Sequence, residues 1–115
     1  MPDPADRLTA LRDEEQQRAA ALRAELADVL ESASSTTGDD EHDPEGATIG
    51  LERAQAQALL DSATAQLEEI DGALARVADG TYGTCIRCGR PIGAERLDAR
   101  PAAPLCITCA ATPPR

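Results

Sequence analysis

The chain has 115 residues, a formal net charge of −10 and a single aromatic residue, Tyr82. This length favours one compact unit, and without Trp or Phe that unit cannot contain a core of large aromatic side chains. No apolar run approaches the ~18 residues that a membrane-spanning helix needs, so we expect no membrane partner.

Charge is divided unevenly along the chain. Residues 1–79 contain 19 acidic and 6 basic residues, whereas residues 80–115 contain 2 acidic and 5 basic residues. The first part therefore has a net charge of −13 and the second a net charge of +3. So acidic a segment is not expected to bind nucleic acid by neutralising phosphates, and we expect no direct DNA binding.

Asp3 and Pro4 predict the start of a first helix, because Asp caps helix N-termini and Pro suits the first helical position. The helix is predicted over about residues 4–33, since nothing before that point breaks it. Apolar or small residues recur on one face, at Leu8, Leu11, Ala19, Leu22, Leu26, Val29 and Ala33. Three charged residues interrupt this stripe, namely Arg12, Glu15 and Arg18.

A polar loop is predicted over residues 34–43, where Ser, Thr and Gly favour turns over helix. Six acidic residues and no basic residue occur between Glu31 and Glu45. This acidic segment is a candidate functional tip, and its candidate residues are Asp39, Asp40, Asp43 and Glu45.

The second helix is predicted over about residues 44–79, starting at Asp43-Pro44 and ending at Asp79-Gly80. Two seven-residue series run through it and alternate in steps of four and three. One contains Arg53, Leu60, Leu67 and Leu74, and the other contains Ile49, Ala56, Ala63, Ile70 and Val77. Four heptads of this kind are typical of a coiled-coil seam.

Two amphipathic helices of similar length, joined by a polar loop, favour an antiparallel hairpin. The fold class is therefore mainly α, a long two-helix coiled-coil hairpin with a small C-terminal four-cysteine finger. We divide the chain into a hairpin, residues 1–79, and a finger with a short C-terminal helical turn, residues 80–115. We expect a monomer, and an intermolecular coiled coil is the alternative.

All four cysteines lie in two identical hooks, Cys85-x-x-Cys88 and Cys106-x-x-Cys109, separated by 17 residues. This spacing is typical of a tetrahedral zinc site, and four thiolates leave no open position for hydrolytic chemistry. We therefore predict one structural Zn²⁺. Two disulfides are the alternative, but the acidic N-terminal residues lack the apolar stretch of a signal peptide. Reduced thiols lead us to expect a cytoplasmic protein.

Four arginines surround the predicted metal site and form a candidate contact surface of the finger: Arg87, Arg90, Arg96 and Arg100. One interpretation is local compensation, because a zinc tetrathiolate carries about two negative charges. The other is that these side chains contact a protein or a nucleotide.

The finger residues resemble the zinc-finger signature of the DksA/TraR family. The resemblance lies in Tyr82-Gly83, Cys85-x-x-Cys88-Gly89, Ile92-Gly93, Arg96-Leu97, Ala99-Arg100-Pro101 and Leu105-Cys106-Ile107-x-Cys109. It implies a transcription regulator that binds RNA polymerase directly and inserts the coiled-coil tip into the secondary channel, toward the catalytic magnesium. It implies no recognition of DNA sequence.

Two features depart from the best-studied branch of this family. Its tip carries Asp-x-x-Asp-x-Ala, which no register of residues 40–48 reproduces. That branch also binds guanosine tetraphosphate at basic residues of the finger module. Arg100 matches one of these residues, but two lysine positions fall on Glu69 and Ala110. We therefore expect little or no guanosine tetraphosphate binding here.

A different functional class, a zinc-dependent coiled-coil adaptor that does not act on polymerase, is the alternative interpretation. Catalysis is not expected, because His42 is the only histidine and no nucleophile has an evident base beside it.

Overall fold

The computed structural model describes the backbone of residues 3–35 and 44–113, and the side chains of residues 3–32 and 48–113. Four helices are present in these ranges: α1 (Pro4–Ser35), α2 (Pro44–Asp79), α3 (Ala94–Ala99) and α4 (Ile107–Ala111). An isolated antiparallel bridge joins Thr84 and Pro91. None of the described helices has an apolar stretch long enough to cross a membrane.

The ends of the long helices follow from local chemistry. Asp3 caps α1, since its side-chain Oδ1 accepts from the N–H of Ala5 at 3.4 Å and its carbonyl accepts from Arg7 N at 3.1 Å. At the end of α2, Gly80 adopts a φ of +82°, a conformation that favours glycine. Arg76 O then accepts from the N–H groups of Thr81 and Tyr82, which closes the helix.

The described chain contains two compact units. The finger unit comprises Met1–Glu14 with Gln66–Arg115, and the helical unit comprises Glu15–Ala65. The finger thus shares a unit with the first turns of α1 and the last turns of α2. Our division into residues 1–79 and 80–115 follows element type instead, and it stays a prediction.

In the helical unit, small side chains form the contact between α1 and α2. Ala19 and Leu22 of α1 are buried, as are Ala56 and Ala63 of α2. Alanine allows two helix axes to approach closely, because interaxial distance depends on the side chains at the contact. The heptad series that contains Ala56 and Ala63 therefore lies in the seam, whereas Arg53 of the other series is exposed.

In the finger unit, one cluster joins both long helices to the finger. Leu8, Ile70, Ala73 and Ala102 are its buried members. Leu11, Leu74, Val77 and Tyr82 pack against it. Burial raises the pKa of Tyr82, whose hydroxyl donates to Pro101 O at 2.9 Å. This cluster holds the finger on the helix ends through apolar contact.

Candidate metal centre and finger surface

Four thiols converge in the finger. The sulfur atoms of Cys85, Cys88, Cys106 and Cys109 all lie within 4.8 Å of one another, and none forms a disulfide. Cys88 Sγ and Cys106 Sγ are 3.8 Å apart. Sulfurs about 2.3 Å from a common tetrahedral zinc ion are separated by about 3.8 Å, so this spacing fits Zn²⁺.

Local backbone geometry explains how two short hooks present four sulfurs. In the first hook, Gly89 has a φ of +76° and its N–H donates to Cys85 O at 3.0 Å. Cys85 N in turn donates to Arg90 O at 2.8 Å, which folds the hook into a tight turn. The second hook is the start of α4, where Ala110 N donates to Cys106 O at 2.9 Å. Each hook therefore brings its two thiols to the same side of a turn.

The thiols differ in how readily they lose a proton. The backbone N–H of Cys88 is the main cause that lowers the pKa of Cys85 to about 6. The backbone N–H of Cys109 likewise lowers the pKa of Cys106. Desolvation, followed by the neighbouring sulfurs, raises the pKa of Cys109 to about 12. Zinc ligation requires all four thiolates, so metal binding would release protons and offset the repulsion between sulfurs.

Two of the predicted contact arginines bond within the finger. Arg87 Nη1 donates to the carbonyls of Cys109 and Thr112, at 2.7 and 2.9 Å, and so caps the C-terminal end of α4. Arg96 Nε donates to Leu105 O at 2.8 Å. These side chains hold loop carbonyls close to the metal site, which gives them a structural role.

The other two contact arginines, Arg90 and Arg100, are exposed, as Arg87 is. Arg100 Nη2 lies 3.4 Å from Glu69 Oε2, and both side chains are partly accessible. This ion pair joins the finger to α2 within the finger unit. Among the described residues we find no hydrogen bond or ion pair for the Arg90 side chain, which is exposed.

The first turns of α1 also contribute polar contacts that the sequence did not indicate. Arg7 donates to Leu97 O at 3.4 Å and to Asp98 O, and it lies 3.8 Å from Asp98 Oδ1. Arg12 Nε donates to Asp71 Oδ1 at 2.6 Å. No local pattern identifies such partners, because Arg7 and Asp98 are 91 residues apart in sequence.

The structure does not describe the side chains of the predicted tip residues. Asp39, Asp40 and Asp43 lie outside the described residues, and Glu45 belongs to α2 but its side chain is not described. The tip therefore stays a prediction.

Comparison with known proteins agrees with this geometry. Residues 80–113 match the family described as the prokaryotic dksA/traR C4-type zinc finger. Transcription factor DksA2 from Pseudomonas aeruginosa superposes with a TM-score of 0.73 at 36% identity, covering 93% of this chain and 77% of that one. The chain belongs to the DksA/TraR family. The expected coiled-coil hairpin with a C4 finger and the expected structural zinc are thereby confirmed.

Curated relatives of this DksA/TraR protein match over shorter stretches. The RNA polymerase-binding transcription factor DksA of Caulobacter vibrioides is 41% identical over 61 residues, which is 53% of this chain and 43% of that protein. General stress protein 16O of Bacillus subtilis is 35% identical over 72 residues, 63% of this chain and 44% of that protein. The matched stretch thus spans less than half the length of these relatives.

Proposed function

We propose that this protein is a transcription regulator that binds RNA polymerase directly and places its acidic tip in the secondary channel. In this proposal it reads no DNA sequence, performs no catalysis of its own and acts in the cytoplasm as a monomer. The observation that carries the proposal is the match to DksA2 over 93% of the chain. The matched Caulobacter relative is named an RNA polymerase-binding factor.

The architecture of each element suits this proposal. α1 has 32 residues and α2 has 36, which at 1.5 Å per residue correspond to about 48 and 54 Å of helix. The acidic segment lies in sequence between them. Carboxylates at the end of long helices could approach a bound Mg²⁺ or the cationic groups around it, because hard divalent cations prefer oxygen ligands.

Contacts in the finger unit support an anchoring role for the base of these helices. The apolar cluster around Leu8, the Arg7 bonds to α3 and the Arg12–Asp71 ion pair tie the helix ends to the finger. Zinc supplies further folding energy to a unit with few large apolar residues. Such a base can anchor the finger ends of the two helices on the polymerase surface.

The Arg100–Glu69 ion pair supports our expectation that guanosine tetraphosphate binds poorly. A phosphate ligand at Arg100 would have to compete with a carboxylate already within 3.4 Å of the guanidinium. Glu69 would also repel a highly charged anion, and Ala110 offers no positive charge nearby in the second hook. Arg100 would then serve chiefly to hold the finger on α2.

Binding and transcription measured on the same preparations test the proposal. The variant carries Asp40→Asn, Asp43→Asn and Glu45→Gln, which removes three tip charges with little change in shape. We expect it to bind purified polymerase with an affinity close to that of the parent protein, and to lose the parent's effect on transcript output. The matched control carries Asp13→Asn, Glu14→Gln and Asp61→Asn, three exposed acids away from the tip.

The control should retain both binding and regulation, since it makes the same change in net charge. If the tip variant regulates as well as the parent, the channel proposal fails. If neither the parent protein nor the tip variant binds polymerase, the adaptor interpretation replaces the channel proposal, and other protein partners have to be sought.

A further inference from the structure

A cavity of about 280 Å³ lies in the finger unit, where α1 and α2 meet the segment that follows α3. Its apolar lining comes from Leu11 of α1, Ile70 of α2, and Ala102 and Ala103 of the finger. Ile70 and the two alanines are buried, and Leu11 is half-buried. The inner wall of the cavity is therefore apolar and is formed by side chains that the fold holds in place.

Two charged side chains of opposite sign line the same cavity. Arg100 Nη2 and Glu69 Oε2 are 3.4 Å apart, whereas charge-assisted hydrogen bonds are usually about 2.7–2.9 Å long. The two side chains are 51% and 38% exposed, so water screens their attraction and the pair stabilises the fold little. Among the described residues this is the single side-chain hydrogen bond of Arg100, and a guanidinium has further donors. The pair can therefore open for a ligand that gives each residue a charged partner.

The charges of the lining discriminate between classes of ligand. An anion would be attracted by Arg100 but repelled by Glu69, and a cation would meet the reverse. A free α-amino acid satisfies both residues, because its carboxylate and ammonium groups are attached to one carbon and the two charged side chains are only 3.4 Å apart. Its carboxylate can also form two parallel hydrogen bonds to a guanidinium. The cavity is therefore better suited to a zwitterion than to an ion of either sign.

The volume and the apolar wall indicate the side chain of that amino acid. A water molecule occupies about 30 Å³, so the cavity corresponds in volume to about nine water molecules. Leucine has a similar number of non-hydrogen atoms. An aliphatic side chain of this size would cover Leu11 and Ile70 and remove apolar surface from water. Small-molecule sites commonly combine such a wall with a few polar groups that fix the orientation of the ligand.

We propose that this cavity, the Glu69–Arg100 cavity, binds a free aliphatic α-amino acid. The carboxylate of the ligand binds Arg100, its ammonium group binds Glu69, and its side chain packs on the apolar wall. The ligand thus enters between two residues that pair with each other in the free protein, and no covalent bond changes. The inference stands on the finger unit alone and does not depend on polymerase.

Nuclear magnetic resonance of the isotopically labelled, zinc-loaded chain tests the proposal with L-leucine as the probe. The amides of Glu69, Arg100 and Ala102 should shift saturably, with a Kd on the order of 1 mM, because a ligand of so few atoms makes few contacts. Three analogues each lack one feature: isopentylamine lacks the carboxylate, 4-methylpentanoate lacks the ammonium group, and glycine lacks the apolar side chain. Each should bind at least about tenfold more weakly, since it leaves one part of the cavity without a partner.

Variants of the two charged residues test which ligand group each one binds. Glu69→Gln and Arg100→Gln should each weaken leucine binding about tenfold, because each removes one charged partner. Glu68→Gln and Arg90→Gln are the matched controls, since both residues are exposed and neither lines the cavity. The controls should change the Kd less than about twofold. Zinc content and helicity, measured for every variant, show whether the finger remains folded.

One exchange of ligand separates recognition from loss of folding. Glu69→Gln frees Arg100 from its ion pair and removes the repulsion of an anion. This variant should therefore bind 4-methylpentanoate more tightly than the parent protein does. A protein that was merely destabilised would not gain affinity for a ligand.

Saturable leucine binding that depends on both charged residues and on neither control supports the proposal. The proposal is wrong if leucine at about twenty times the expected Kd causes no saturable shift in the folded parent protein. It is also wrong if Glu68→Gln weakens binding as much as Glu69→Gln. If 4-methylpentanoate binds the parent protein as tightly as leucine, the cavity is an anion site and the zwitterion is the wrong ligand. None of these measurements includes polymerase, so their failure leaves the proposed function standing, and failure of the proposed function leaves the amino-acid site standing.

Discussion

Leu8 provides the sharpest test of what holds the finger on the helices. It is fully buried, in contact with the cluster that joins α1, α2 and the finger, and its neighbours Ala73 and Ala102 are too small to fill a void. Leu8→Ala should therefore leave most of the cavity open. Buried Leu→Ala changes of this kind cost about 2–5 kcal/mol, a large share of the ~5–15 kcal/mol that stabilises a typical domain. A loss of about 3 kcal/mol lowers the melting temperature by on the order of 15 °C in a small domain.

Leu51→Ala is the matched control, because Leu51 lies in α2 and is 61% exposed. An exposed helical Leu→Ala change is expected to alter the free energy of unfolding by less than about 0.5 kcal/mol. Thermal unfolding in zinc-containing buffer, followed by circular dichroism, measures both variants under the same conditions. Equal shifts for the two, or no shift for Leu8→Ala, would refute the view that this cluster holds the unit together.

Three further outcomes are expected. Cys88→Ser should abolish stoichiometric zinc binding and loosen the finger, while most of the helix content remains. Metal analysis measures the zinc and circular dichroism measures the helix content. Full retention of zinc would contradict the four-thiolate site. Two hydrogen bonds from Thr81 lower the pKa of Asp79, so the stability that this carboxylate contributes is present above its unfolded pKa and is lost as the pH falls through the folded one. Asp79→Asn should accordingly reduce the acid dependence of unfolding below about pH 4, and unchanged acid dependence would contradict this role. In an equilibrium binding assay, guanosine tetraphosphate should bind weakly to the complex of this protein with polymerase, and more tightly when the protein carries Glu69→Lys. Tight binding to the complex of the unchanged protein, lost when Arg100 is changed, would contradict the expectation.

The sequence predicts the long helices and the zinc site well because their signals are local or strictly periodic. Asp-Pro marks each helix start, and the heptad series in α2 identifies Ala56, Ala63 and Ile70, all of which are buried. The heptad pattern also explains why Leu51 is exposed, since this residue lies outside both heptad series of α2. The two Cys-x-x-Cys hooks can be recognised without knowing the rest of the fold, because each turn is closed by hydrogen bonds between residues close in sequence.

Other features depend on contacts that no local pattern contains. Ala73 is fully buried, yet nothing in the sequence distinguishes it from the many exposed alanines of the same helix. The arginines of the finger carry the same charge in the sequence. The structure nevertheless separates Arg87, which caps α4, from Arg100, which pairs with Glu69. Assigning such roles requires knowing which carbonyl or carboxylate the fold brings next to each guanidinium, and these partners lie tens of residues away in the sequence.

Placement of the acidic tip near the catalytic centre of polymerase is the central claim, and localised radical cleavage tests it most directly. When the catalytic Mg²⁺ of polymerase is replaced by Fe²⁺, added hydrogen peroxide oxidises the Fe²⁺ to Fe³⁺ and is reduced to hydroxide and a hydroxyl radical, and added ascorbate returns the iron to Fe²⁺. The radicals cut only the protein chain that lies close to the metal. With this protein bound and labelled at one terminus, we predict cleavage between residues 36 and 45 and none in the finger, residues 80–113. The tip variant with three neutralised carboxylates should be cut at the same place, because its reach is unchanged. Cleavage in the finger, or an intact chain in a complex that demonstrably forms, would contradict the account.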